Sequence, residues 1–557
     1  MADCILANGT LYGELINTPL GMYYWKSEEW LPLLAESWGF ITAGGGATPE
    51  AVPVTGATPA AGGADTFEVK LRTDATWSDG TPFTAQDVVD TLWCARIMSN
   101  TLWKFIDNAV AVDEATVHCH MAVPSTTVER YVIRTIPPAP SSVFGEFAQK
   151  ARDLFEAGKT VKDPERAQLL EAFSAFKLPL PPNTGPYGID ENAITNAQLT
   201  LVKNASSVFV DNAHFDKLVI FNGETDTITA VVLNKDVDYA THAFAPASEA
   251  EFIKLGIRIL RPPIYSGPAL ILNLTSLGEA FGDKRARQGL LTALNRDEIG
   301  FLAQAESGVP ITSFAGYSDT LLDQWLTADE IAALNTYPTD ADTAASLLEA
   351  AGWSKDGDTW KTPSGDSAVF ELVFPPEYVN QAAAAAAVAE QLTAFGMDVK
   401  PRAVTFTQIP EDVDKGNFQL ALRGWGNSSN PHPHFSFVSD FFVDNTLAVN
   451  NGGTGIGFPL DQVTDIAGEV DINQLVVESA LGLDVGDQKE RVATVAAVFN
   501  ELLPRIPLYE RHGNTPALEG VRVKAWPADD DPIHLNSPYA DGVPTLTIYQ
   551  GTLEPAD

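Results

Sequence analysis

Residues 369–406 hold one complete strand–helix–strand unit, and no other segment constrains the fold as much. Val369 to Phe374 is a short apolar run, Gln381 to Phe395 an alanine-rich helical stretch, Gly396 its stop and Met397 to Phe406 a second strand. Two strands joined through a helix pair side by side in parallel, with a right-handed crossover. The unit therefore predicts an α/β sheet. Tyr378 falls in the loop leaving its first strand. Such loops line ligand crevices in open α/β sheets, so Tyr378 is a candidate contact, with ordinary loop packing as the plainer role.

Other segments extend that sheet and divide the chain. At 557 residues it is long enough for several units. Strands are expected at Gln198–Lys203 and Lys217–Asn222, then a helix opening near Asp226 or Thr227, then Val237–Ala240, a run that suits an open mixed sheet. From Tyr265 the pattern resets with a strand over Ala269–Leu274, a helix near Asp283–Leu294 and another opening at Asn295. A helix capped at Thr339–Thr343 stops at Gly352, before a hairpin over Trp353–Trp360. Leu34–Trp38 and Phe67–Leu71 read as paired strands around residues 42–65, a Gly/Ala/Pro/Thr-rich flexible loop. Thr84 reads as an N-cap with Asp87 in the first helical turn. One long helical stretch is expected from Val143 to Phe176, ended by the Pro/Gly-rich segment Pro179–Gly188, a plausible boundary.

Charge and cysteine usage exclude several partners. Lys plus Arg number 35 against 73 Asp plus Glu, a net charge of −38 that repels phosphate backbones and rules against nucleic acid. No apolar run reaches the length of a membrane span, and the N-terminus lacks a basic region followed by an apolar one. The expected setting is the cytoplasm, or outside it with the export signal already removed. Cys4, Cys94 and Cys119 are too few for a disulfide framework; Cys94 and Cys119 either bridge or stay as buried thiols.

Catalytic signatures fail one after another. Gly158-Lys159-Thr160 lacks the earlier glycine of a phosphate loop, Gly453–Gly457 has the wrong spacing, and no HExxH, GxSxG or calcium-loop pattern occurs. The most concentrated polar-aromatic run is Arg423–Phe435, following an apolar strand at Phe418–Leu422. An indole face beside amides and imidazoles at a strand end is what a sugar needs: stacking for the ring and hydrogen bonds for its hydroxyls. The alternatives are that Trp425 caps a core and that His432 and His434 are solvated, or that the histidines ligate a metal, for which no nearby Cys or Asp completes a set.

The ordered set of segments resembles the family 5 extracellular solute-binding proteins, the peptide, nickel and oligosaccharide receptors of ABC importers. Leu34-Ala35-Glu36-Ser37-Trp38 and then Trp77 to Val88 carry the likeness, with Asn183-Thr184-Gly185-Pro186-Tyr187 similar to a GTGPY turn. Leu272-Asn273-Leu274-Thr275, followed by Asp283, Arg285, Arg287-Gln288 and Asn295-Arg296-Asp297, continues it. The helix from Asp342 to Trp353 and Leu503 to Tyr509 complete it, across nearly the whole chain. The resemblance implies an α/β, periplasmic-binding-protein-like two-lobed fold with mixed sheets and a hinge, of the large three-part subtype. It implies lobe I at 1–262 plus 505–557, with a subdomain about 26–179, and lobe II at 263–504. Hinge strands would pass near Arg261, Tyr265, Pro504 and Tyr509. Closure on a solute needs no catalytic group, cofactor or metal, so no enzyme is expected.

Two departures from the family pattern matter. Only eight residues precede the segment that resembles Gly9–Leu15, so a native edge strand is expected to be missing. Peptide receptors of the family carry an acid soon after the match to Gly424-Trp425; this chain has Asn427, and no carboxylate between Trp425 and Phe435. An amide gives no charge-assisted bond to a buried ammonium. The implied solute is therefore a short oligosaccharide, with an oligopeptide or a nickel or other metal chelate as alternatives within the family. A secreted glycan-active enzyme and a scaffold with a vestigial cleft are the rivals outside it. The expected contacts are Trp425 as stacking platform, Asn427, Asn430 and His432 as hydrogen-bond partners, Tyr378 from the facing loop and Tyr12 from lobe I. The implied partners are the membrane subunits of an ABC permease. The implied form is an extracytoplasmic monomer, lipid-anchored in its precursor.

Overall fold

The computed structural model describes residues 3–7, 12–42, 64–160, 162–177, 180–241, 243–427, 429–450, 452–536 and 542–556. Two mixed sheets organise the chain. The first has seven strands in the order Arg258–Leu260, Thr515–Ala517, Tyr239–Ala240, Asp3–Ala7, Lys217–Phe221, Gln198–Lys203 and Tyr187–Ile189. The second has five, in the order Asp398–Ala403, Val369–Phe374, Leu420–Gly426, Ser266–Leu272 and Ile506–Pro507. A third, antiparallel sheet joins Ala35–Ile41, Thr66–Leu71, Thr116–Met121 and Ile106–Asp113.

The strand expected to be missing is present. Asp3–Ala7 sits inside the seven-stranded sheet, parallel to Lys217–Phe221 and Tyr239–Ala240. Alternation explains its place, since Cys4 and Leu6 are fully buried on one face. Its Ile5 N–H donates to the buried Asp238 carboxylate at 2.7 Å, and Arg522 pairs with that carboxylate at 2.9 Å.

The strand–helix–strand unit forms as expected, with Val369–Phe374 and Asp398–Ala403 parallel in full register. Its helix, Val379–Phe395, starts two residues early and ends at Gly396, whose φ of 107° only glycine adopts readily. The expected helix over 143–176 is instead two, Ser141–Glu156 and Pro164–Ala175. Gly158 turns the chain out of the first at φ 70°, and Pro164, lacking an N–H, opens the second. Ala35–Ile41 and Thr66–Leu71 pair as a hairpin. Of the loop expected at 42–65, residues 43–63 lie outside the described residues. Thr84 N–H donates to Asp87 Oδ2 at 2.8 Å, and the helix Ala85–Ile97 follows. All three cysteines are buried free thiols, so the Cys94–Cys119 bridge does not form.

Two segments connect the sheets, and they run antiparallel to each other. Arg258–Leu260 pairs with Thr515–Ala517 in the first sheet, Pro263 bridges to His512, and Leu270 faces Ile506 in the second. Each connector holds one non-glycine residue in the left-handed region, Tyr265 at φ 61° and Leu503 at φ 46°. Such backbone persists only where its surroundings over-determine it. Here Tyr265 stacks on Trp25 with ring centroids 4.8 Å apart, and Leu503 closes the helix Val485–Leu502 just before Pro504.

Apolar packing joins the chain differently from the sheets. One hydrophobic core runs through the four-stranded unit and on into the 265–503 region, whereas the seven-stranded sheet has separate cores of its own.

Candidate functional site

The strand Leu420–Gly426 is longer than its apolar residues alone suggest. Ser266–Leu272 offers it a seven-residue antiparallel partner, so Arg423 to Gly426 are drawn into the sheet and not into the loop after it. Trp425 consequently lies inside the sheet, 1% exposed, its Nε1–H donating to the Tyr509 carbonyl at 3.1 Å. Gly267 makes that approach possible: a Cβ there would sit 2.0 Å from the Tyr509 oxygen and 2.9 Å from the Trp425 Nε1. The expected stacking platform is thus a covered indole tied to the backbone of Tyr509.

An ionic network fixes the end of the same strand. Asp440 and Asp444 are buried on the following helical segment, and Arg505, 3% exposed, lies between them. Arg505 Nη2 donates to Asp444 at 2.7 Å and its Nη1 to the Gly424 carbonyl at 2.6 Å. The Gly426 N–H points at both Asp440 oxygens, at 3.1 and 3.0 Å. Burial pushes Asp440 up to about 6, against the opposing pull of Arg505. Burial would also raise Asp444, but Arg505 and Arg423 outweigh it and hold that carboxyl below the usual range.

Beyond Gly426 the chain meets the helix Thr127–Ile133 and the Arg134 that caps it. Asn427 Oδ1 accepts the N–H groups of Ser429 and Asn430 at 2.8 and 2.9 Å, which folds the loop on itself. Asn430 Oδ1 accepts from Arg134 Nη1 at 2.8 Å, and the same guanidinium reaches the Ser429 carbonyl. Arg130, one helical turn earlier, donates through Nε to the Pro431 carbonyl at 3.0 Å and through Nη2 to the Tyr23 hydroxyl at 3.3 Å. Two arginines on one face of a short helix thereby grip three successive loop residues. Backbone bonds extend the seam, from Thr126 N–H to the Gly482 carbonyl and from Gly482 N–H to Pro124.

His432 sits deepest in this seam, 2% exposed, its ring 4.4 Å from that of Trp325. Its Nδ1 accepts the His434 N–H at 3.1 Å, so the proton of the neutral ring resides on Nε2. Nε2 is enclosed and has no hydrogen-bond partner. Burial, with Arg130 and His434 beside it, holds the imidazole well below its ordinary value. Its neighbour Gln488 spends its Nε2 on the Ala480 and Gly482 carbonyls and accepts from Thr126 Oγ1, while its amide oxygen also lies near enough to the ring to pull slightly against that shift. His434 is bound to the Val476 carbonyl at 2.8 Å and is driven by burial down to about 4. Neither histidine is solvated, and among the described residues no three His, Cys, Asp or Glu groups are placed to hold a metal.

The remaining candidates scatter around the seam. Tyr378 is half-buried at the start of Val379–Phe395, its ring 5.5 Å from Phe406. It leaves the strand beside Leu420–Gly426, yet its recorded ring contact is with the loop after Asp398–Ala403. Tyr12 begins a short helix, and its side chain lies outside the described residues. Of the hinge set, Arg261 is held by Glu249 and Ser307, Tyr265 donates to the Leu535 carbonyl, Pro504 is buried, and Tyr509 meets Asn380 at 3.5 Å.

Sequence reasoning missed Arg130, Arg134, Trp325 and Glu510. The arginine pair had a legible signal in its four-residue spacing, but nothing local says what it faces. Glu510 had none. It is a buried carboxylate that accepts from Ser318 Oγ, the Asp319 N–H at 3.2 Å and Thr320 Oγ1 at 3.4 Å, and burial lifts it to about 7.

The pattern of the bacterial extracellular solute-binding proteins, family 5 Middle, matches residues 29–446. Among curated proteins nothing matches. The fold is similar to that of a periplasmic oligopeptide-binding protein of an ABC transporter from Thermotoga maritima, at 16% identity and TM-score 0.76 over 100% of this chain and 99% of that one. The same Thermotoga protein with mannohexaose bound superimposes at TM-score 0.73 and 16% identity, over 100% and 98% of the two chains. Oligopeptide-binding AppA from Bacillus subtilis, in complex with a nonapeptide, gives TM-score 0.70 at 16% identity, over 100% and 99%. NikZ from Campylobacter jejuni, in complex with Ni(L-His), gives 0.72 at 17%, over 100% and 99%.

Proposed function

The chain belongs to the bacterial extracellular solute-binding proteins of family 5, receptors of ABC importers and not enzymes, and we propose that its solute is a short, uncharged oligosaccharide. One observation carries this reading. Four acids near the seam are engaged by the protein's own donors: Asp440 by Gly426 and Arg505, Asp444 by two arginines, Glu129 by the Trp38 indole at 2.8 Å, Glu510 by the 318–320 turn, and the half-buried Glu28 faces the Arg130 guanidinium. A peptide's ammonium in a closed cleft needs a carboxylate that is not already spoken for. Aromatic side chains and amides, by contrast, are plentiful there: Trp25, Trp325 and Tyr23 with Asn427 and Asn430. The mannohexaose bound by the Thermotoga protein supports a sugar within this fold, while the nonapeptide of the Bacillus protein keeps a peptide as the second reading.

On this reading, Trp425 acts as the floor beneath the site, anchoring the strand end to the hinge, while the half-buried Asn427 and Asn430 and, once the seam opens, His432 meet the solute. Tyr378 and Tyr12 stay as outlying contacts, and Arg261, Tyr265, Pro504 and Tyr509 belong to the hinge. The protein would work as a monomer outside the cytoplasm, anchored by lipid in its precursor, and would deliver to permease subunits in the membrane. No described helix is long and apolar enough to cross a membrane itself. A thermal-shift series with mannohexaose, cellohexaose, pentaalanine and nickel–histidine tests the reading, because ligands of the folded state raise the melting temperature. A rise with one sugar series alone is expected. A rise with pentaalanine alone would overturn the sugar and favour the peptide.

A further inference from the structure

Buried donors without acceptors are uncommon, and three of them lie along this seam. They are Trp25 Nε1, Tyr317 Oη and His432 Nε2, each enclosed and none hydrogen-bonded. Trp25 comes from the first lobe and the other two from the second. A closed circuit of contacts connects the first to the third: Gln324 Nε2 donates to the Trp25 carbonyl at 3.3 Å, Trp325 beside it packs on His432, and Pro431 accepts from Arg130. Arg130 then holds Tyr23, two residues from Trp25. Tyr317 lies on the same 313–326 segment as Gln324, with its ring 6.1 Å from Phe437 in the helix that His432 caps.

All three groups offer a hydrogen. The indole can do nothing else, and the tautomer of His432 is set by the bond its Nδ1 accepts. Stranding such donors is unfavourable for the closed seam, and a molecule between the lobes that supplies acceptor oxygens relieves it. Resting on the receptor reading above, the geometry points to Trp25 and His432, aided by Tyr317, as the residues that select the solute. They select for acceptor oxygens of an uncharged polyol, its ring and hydroxyl oxygens, and against ammonium groups. Because burial keeps His432 neutral, the selection holds across the physiological pH range.

Calorimetric titration of the full chain and its variants Trp25→Phe and His432→Phe with mannohexaose, cellohexaose and pentaalanine tests this. Both variants keep an aromatic ring and lose the N–H. A hexasaccharide is expected to bind the parent chain and to bind each variant at least about tenfold more weakly. Circular dichroism and melting curves establish that the variants are folded. Hexasaccharide binding undiminished in both folded variants overturns the donor assignment and leaves the receptor reading standing. Pentaalanine binding that both substitutions weaken supports the donors, now serving peptide carbonyls, and overturns the sugar. If neither series binds the parent chain, both ideas fall. Should a variant fail to fold, Tyr317→Phe with the same titrants serves as the substitute: it is expected to weaken hexasaccharide binding, and unchanged affinity there overturns the assignment.

Discussion

Each of the two sheets has a buried aspartate that accepts a strand N–H and is paired with an arginine from the C-terminal part of the chain, but the two devices differ in depth. In the seven-stranded sheet Asp238 takes the Ile5 N–H, and its arginine, Arg522, is 26% exposed. In the five-stranded sheet Asp440 takes the Gly426 N–H, and Arg505, 3% exposed, is shared with Asp444 while donating to Gly424 and Ser439. The first device closes a sheet. The second sets the position of a strand end from which the proposed binding loop departs, and a loop can select a solute only if its base does not move.

Removing Arg505 is the harshest test of that difference. Arg505→Ala leaves two carboxylates buried with one remaining partner, Arg423, and should lower stability by about 3–5 kcal/mol in urea unfolding. Arg522→Ala exposes Asp238 to solvent more easily and should cost about half as much. Equal losses would break the comparison. Gly267→Ala probes the same strand end sterically. Its Cβ would meet the Tyr509 carbonyl at 2.0 Å, so the sheet or the Tyr509 backbone must shift, costing about 1–3 kcal/mol or more. Loss of the Trp425–Tyr509 bond would appear as a change in indole fluorescence.

Glu510 sharpens the comparison from the other side, being a buried acid with no arginine or lysine paired to it among the described residues. Its folded pKa is raised, from 4.5 to about 7, so the stability it contributes is full below about 4.5 and is lost as pH rises through 7. His434 and His512, lowered from 6.5 to about 4 by burial, act in the opposite sense: their contribution is present above 6.5 and is lost as pH falls through 4. Glu510→Gln removes only the alkaline loss. Relative to the parent chain it should gain roughly 2 kcal/mol between about pH 5 and about pH 8. Parallel pH–stability curves for the two proteins would mean that Glu510 does not titrate there.

Which of these features the sequence reveals depends on how local their causes are. The strand–helix–strand unit, the capped helices at Thr84, Asn295 and Asp340 and the stop at Gly396 all follow from residues within a few positions of one another. Long-range pairing overrides local signals elsewhere. Arg423 to Gly426 look like loop, yet they are strand because Ser266–Leu272 lies beside them. Asp3–Ala7 lies where an edge strand is expected to be missing, yet it is a central strand because strands more than two hundred residues away flank it. The polar-aromatic run is visible from composition, and so are its amides. What the sequence conceals is which of its side chains face inward: Trp425 is sealed by the backbone of Tyr509, eighty-four residues later, and His432 by the Trp325 ring, with a helix three hundred residues earlier holding Pro431 beside it.

Arg134 offers the gentlest test, because it bears on closure more than on folding. Its guanidinium reaches from the end of the helix Thr127–Ile133 to the Ser429 carbonyl and Asn430 Oδ1, and on the proposed two-lobed closure both acceptors would turn to water in the open form. A bond that solvent replaces so readily contributes about 1 kcal/mol or less to unfolding. Every such bond across the seam nonetheless counts fully toward the closed form, since the open form lacks it. Arg134→Ala should therefore leave the urea midpoint nearly unchanged and shift the ligand-free protein toward the open form. In small-angle scattering this would register as a larger radius of gyration, restored by a saturating solute. If Arg134→Ala instead unfolds the protein as Arg505→Ala does, the grip on 429–430 is part of the folded core, and the contrast between a fixed strand end and a releasable loop is lost.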